Sequence, residues 1–216
     1  MTIERATGLV LRTRLLTDTS LIVHWLTPGL GRVATVAKGA RRPKSPFRGK
    51  LDLFYLGDFS FHRSRRSDLH TLREVVLLAT HPALRADLAR LRQAAYGARL
   101  VERLTETDTP LPEVYRLFKG LLDLLQTQPA QPLPLLAFEL KLLAELGSPP
   151  NLAASSLTAG VKHVVEYALA ADWPSLSRLK LSPAQAAELD HCVRGLLMAN
   201  LGEVPRGRAQ ALAMAE

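Results

Sequence analysis

Apolar and polar positions keep one rhythm up to about residue 80 of this chain and another beyond it. In the first part they alternate. "ATGLVLRTR" does so around Leu9 and Leu11, "SLIVHWLT" is β-branched and aromatic, and "LGRVATVAKG" alternates through Val33 and Val36. A period of two places one face of a strand on a core and the other in water. "PGLG", Pro28 to Gly31, separates the second and third segments with a fixed φ and a residue free to take positive φ, as a tight hairpin wants. "LDLFYLGDFSFH", with Leu51, Leu53 and Tyr55 on one side, and "LHTLREVVLL" supply two more strands, joined by the polar turn "RSRRSD". Five short strands with turn signals predict a small barrel, and the five-stranded OB-fold is the economical form.

From His81 the period becomes helical. "PALRADLARLRQAAYGARLVERLTE" carries Leu84, Leu88, Leu91, Ala95, Leu100 and Leu104 on one stripe, with Pro82 placed for a first turn. "TPLPEVYRLFKGLLDLLQTQ" repeats the pattern, and "PLPLLAFELKLLAELG" ends at a C-terminal Gly147. Two further helices are expected at "LTAGVKHVVEYALAADW" and "SPAQAAELDHCVRGLLMANLG", the latter with Ser182 as N-cap and Pro183 in the first turn. The fold class expected is α+β, an N-terminal OB-fold five-stranded β-barrel at residues 1–80 followed by an all-α helical domain at residues 81–216. Most of the leucine-rich surface of that domain is expected to be internal, with room left for an apolar groove.

Charge sharpens this picture because it is unevenly placed. The formal net charge is +8, and residues 1–80 hold fourteen Lys and Arg against six Asp and Glu, which accounts for all of it. The surplus concentrates in "VAKGARRPKSPFRGK", Val36 to Lys50, with six cations and no acid. Like charges this close repel, so a polyanion partner is expected to balance them. In an OB barrel strands two and three and their flanking loops face nucleic acid. Lys38, Arg41, Arg42, Lys44, Arg48 and Lys50 would line one rim directly after the third strand, and Arg63, Arg65 and Arg66 would join them from the next hairpin. Arg12 and Arg14 are weaker candidates. Phe47, inside the basic run, either stacks on a base or anchors the loop to the barrel, whereas Trp25 reads as core. The segment "RGRAQAL", Arg206 to Leu212, reads as a short basic tail, a frayed terminus in preference to an extension of a binding surface.

Signals for catalysis are poor. "KGARRPKS" lacks the spaced glycines and Gly-Lys-Ser/Thr ending of a phosphate loop, and neither a G-x-S-x-G elbow nor an H-E-x-x-H pair occurs. His62, His70 and His81 sit at strand ends with no cysteine near them, and Asp18 and Asp52 read as turn residues. The single cysteine, Cys192, reads as a small core residue and agrees with a reducing compartment. No apolar run is long enough to span a bilayer, so a cytoplasmic, non-enzymatic protein without membrane partners is expected.

The pattern "GLVLRTRLLTDTSLIVHWLTPGLGRVATVAKGARRPKS", followed by "LDLFYLGDFSF" and "LRADLARLRQAAYGARLVERL", resembles the bacterial DNA repair protein RecO family. The resemblance is most specific in "GRVATVAKGARRPKS" and covers the N-terminal half. It implies a recombination mediator without catalytic turnover that binds single- and double-stranded DNA, anneals complementary strands and helps load RecA onto strands covered by single-strand-binding protein. Its implied partners are RecR and the tail of single-strand-binding protein, and its DNA-contacting loop carries over to Lys38, Arg41, Arg42 and Lys44. Many relatives have a four-cysteine zinc module after a segment like "ELGSPPNL", whereas this chain passes through residues 152–156 and on to Gly160 with no cysteine. The expectation is therefore no metal and no cofactor. An RNA- or ribosome-associated OB-fold protein and a protein-interaction scaffold are the alternatives; a hydrolase comes last, because no nucleophile, base and orienting group can be assembled.

Overall fold

The computed structural model describes residues 2–213. Five strands, β1 (Ile3–Leu15), β2 (Leu21–Thr27), β3 (Gly31–Ala37), β4 (Leu56–His62) and β5 (Leu69–Ala79), close a barrel in the order β1-β2-β3-β5-β4. All neighbours are antiparallel except β3 and β5, which run parallel from Ala34 opposite Leu69 to Val36 opposite Thr71. Strand β1 makes closure possible by serving two partners. Ile3–Leu9 pairs with β4 and Leu9–Leu15 with β2, and a register shift between Val10 and Arg12 bends the strand between these roles. This is the OB-type barrel that the alternation predicts.

The inward positions pack an aromatic centre. Trp25 stacks on Phe59 with ring centroids 4.1 Å apart, Phe59 continues to Phe61, and the Trp25 indole N–H donates to Thr35 Oγ1 at 2.9 Å. Trp25 is thus core, with its polar edge satisfied inside. The β2–β3 hairpin closes on Gly31, whose φ of +66° and approach to the Thr109 carbonyl leave no room for a Cβ.

One sequence expectation shifts. Leu51–Tyr55 does not begin β4, which starts at Leu56. Phe54 takes a positive φ of 63°, donates its N–H to the Val10 carbonyl and accepts from His81 Nδ1 at 2.7 Å. That kink turns Phe54 inward, edge-on to Phe118, and breaks the apparent alternation of Leu51, Leu53 and Tyr55.

The helices are α1 (Ala83–Ala86), α2 (Leu88–Leu104), α3 (Pro112–Thr127), α4 (Pro132–Glu145), α5 (Ala159–Ala170), α6 (Trp173–Arg178), α7 (Pro183–Leu201) and α8 (Arg208–Leu212). Two compact units result. One holds the chain through Pro82 together with Thr105–Lys119, and the other holds Ala83–Leu104 and the residues from Gly120 on. Residues 105–119 return to the barrel because Thr107 bridges Arg32, whose carbonyl accepts the Asp108 N–H at 2.9 Å. Nothing in the hydrophobic pattern announces that return.

In the helical unit α4 is buried nearly all round, as its leucine-rich sequence requires, and it ends just before Gly147 at φ +85°. Ser182 and Gln185 form a reciprocal capping box on α7. The "RGRAQAL" segment is not a frayed tail. Arg208, 4% exposed, holds the fully buried Glu139 through Nε at 2.7 Å and a second N–H at 2.9 Å, and reaches Asp190 at 2.6 Å. Tyr96, its hydroxyl kept protonated by burial and the Glu139 charge, donates to the same carboxylate.

Candidate nucleic-acid interface

The run after β3 folds as a chain of consecutive turns. The N–H groups of Arg42, Ser45 and Lys50 reach the carbonyls of Gly39, Arg42 and Phe47 at 3.0 Å, and that of Arg48 reaches Ser45 at 3.2 Å. Two apolar side chains, Ala40 and Phe47, peg the run to the barrel core. The β1–β2 hairpin braces it from outside: Arg41 donates its backbone N–H to the Thr19 carbonyl at 3.0 Å and its guanidinium to the Asp18 carbonyl at 3.1 Å, and the Gly39 N–H reaches Ser20 Oγ. The cations therefore stand on a fixed frame.

Lys38, Arg41, Arg42, Lys44 and Arg48 are exposed, and among the described residues none of them pairs with a carboxylate. Their charge faces water uncompensated. Lys50 belongs to the frame instead: it is half-buried and donates from Nζ to the Val75 carbonyl at 3.1 Å. Phe47, 6% exposed, packs its ring among the core side chains and so anchors the loop, with only a small part of it open to the surface. Beneath the loop lies a cleft of about 350 Å³, floored by Leu21, Ala40, Phe47 and Leu51 and rimmed by Arg41, Arg42 and Arg48.

The second basic turn does not join this rim. Parallel pairing puts Leu69 beside Ala34, so the residues before Leu69 run toward the start of β3, while the basic loop leaves from its end. Arg65 and Arg66 are exposed at that opposite end of the barrel. Arg63 is occupied as well: its Nε meets Glu4 at 2.6 Å, a second nitrogen meets Asp108 at 2.9 Å, and it lies 5.8 Å over the Phe61 ring. These carboxylates hold it firmly charged and balance that charge locally.

The outer face of β1–β3 adds a stripe that the sequence reading underweighted. His24 sits opposite Arg12 in the β1–β2 register, and its imidazole is driven down to about 4 by burial and then by Arg12, Arg14 and Arg32. Arg32 stands on the outward phase of β3, where the alternation itself is the signal for it, and its guanidinium also bonds the Thr105 carbonyl. The remaining polar candidates are structural. His81 is buried on the Phe54 carbonyl, and His70 is stacked on Phe61 and kept neutral by burial and Arg63. Cys192 is half-buried, its thiol pushed up by burial. Among the described residues no group of three His, Cys, Asp or Glu is arranged to hold a metal ion, and no helix is long and apolar enough to cross a membrane.

Residues 1–81 match the family described as Recombination protein O N terminal, and residues 85–159 that described as Recombination protein O C terminal. The DNA repair protein RecO of Anaeromyxobacter sp. is 35% identical over 148 residues, 68% of this chain and 58% of that protein. That of Symbiobacterium thermophilum is 37% identical over 155 residues, 71% of this chain and 60% of that protein. That of Rhodopirellula baltica is 34% identical over 143 residues, 66% of this chain and 53% of that protein. The matched region spans 53–60% of the length of these relatives.

Proposed function

We propose, from the premise that the chain belongs to the RecO family, that it is a non-enzymatic DNA-binding protein of DNA repair in the cytoplasm and acts as a recombination mediator. It binds single- and double-stranded DNA, anneals complementary strands and assists RecA loading on strands covered by single-strand-binding protein, with RecR and that protein as partners. The observation that carries this reading is the braced loop with five exposed, unpaired cations at Lys38, Arg41, Arg42, Lys44 and Arg48. Annealing follows physically when such a surface neutralises phosphates on two strands and lowers their repulsion.

The test is annealing of complementary strands coated with single-strand-binding protein, across a salt titration. Acceleration is expected at low salt and is expected to vanish at high salt. If each of the five cations neutralises one phosphate, log affinity for single strands falls against log salt with a slope of about −3.5, and Arg41→Ala with Arg42→Ala brings it to about −2. Salt-insensitive affinity, or tighter binding to RNA of matched length, would count against the reading.

A further inference from the structure

We infer that the cleft under the basic loop is a nucleotide pocket, taking one unstacked nucleotide of a single strand with its base on the apolar floor and its phosphates on the rim. The inference deepens the DNA-binding reading and rests on it. Three properties of the cleft point to this occupant. Its volume, about 350 Å³, falls at the small end of the range for clefts that hold small molecules. Its floor is apolar, formed by Leu21, Ala40, Phe47 and Leu51, which suits the face of a base and offers nothing to a bare phosphate. Its rim carries three guanidiniums and, among the described residues lining it, no carboxylate, which fits a polyanion and repels an amine.

The arrangement is also pre-organised. Phe47 and Ala40 are held from below and Arg41 from the side by the Asp18 and Thr19 carbonyls, so little ordering cost remains for binding. A duplex keeps its bases turned inward and stacked, so only its phosphates could reach the rim. A single strand can turn a base outward at small cost and use floor and rim together. The cleft thereby converts a sequence-tolerant electrostatic surface into one that prefers single strands.

The experiment compares the full chain's affinity for oligothymidylate and for an all-abasic strand of equal phosphate number, at one salt concentration. Oligothymidylate is expected to bind about tenfold more tightly. Ala40→Leu, which fills the cleft from its floor, is expected to bring that ratio to near one. Equal affinity of the two strands for the unaltered chain overturns the pocket and leaves the phosphate-binding reading standing, whereas failure of both strands to bind overturns both. Should Ala40→Leu fold poorly, photocrosslinking of the unaltered chain to a strand carrying 4-thiothymine decides: adducts on Leu21, Phe47 or Leu51 support the pocket, and adducts confined to other surfaces overturn it.

Discussion

Phe47 shows how a nearly buried side chain can govern the surface above it. Its ring belongs to the barrel core while its neighbours carry the cations, so Phe47→Ala should lower stability by about 3 kcal/mol in denaturant titrations. It should also weaken DNA binding although no charge is lost. The sequence left this residue open because an aromatic in a basic run has the same pattern whether it points in or out. His24 gives a second residue-scale expectation. Its folded value, about 4, lies below the 6.5 of a free imidazole, so the unfolded chain takes up the proton first on acidification. The neutral histidine's contribution to stability is therefore complete above about pH 6.5 and is lost as pH falls toward 4. An NMR titration of its ring protons checks the value, and Arg12→Ala, or phosphates laid over the outer face, should raise it.

At the scale of elements, the strands were readable because alternation is local. The end of the barrel at which each turn sits was not, because it depends on the parallel pairing of β3 with β5, made between residues far apart in sequence. This is why Arg65 and Arg66 could be found as a basic turn and still be assigned to the wrong rim. The break between α1 and α2 did have a signal, the Asp87 side chain accepting the N–H groups of Ala89 and Arg90, and so did α6, with Asp172 as its N-cap. Helix α8 had none, since Arg208 gains its partners Glu139 and Asp190 only on folding. Arg208→Ala strands a buried carboxylate and should cost about 3–5 kcal/mol; replacing Arg208 and Glu139 together by Met should cost clearly less than the sum of the two single changes. A denaturation cycle over the four proteins measures the difference.

At the scale of the whole molecule, the uneven charge was the most informative quantity in the sequence. It located the candidate interface in the first third of the chain, and the fold then separated that surplus into exposed cations, Arg63 tied to two carboxylates, and Lys50, which pins the loop. The braced loop has one more consequence. Lys38 to Lys50 offers trypsin six basic residues, only one of them shielded by a following proline, and a linear reading marks it as the place where the chain would be nicked. A protease needs several residues drawn out into its cleft, and here successive turns and two core pegs must first be undone. Limited digestion of the folded protein should leave this stretch intact and cut it readily once Phe47 is alanine, so resistance to trypsin becomes a direct reading of how firmly the cations are held.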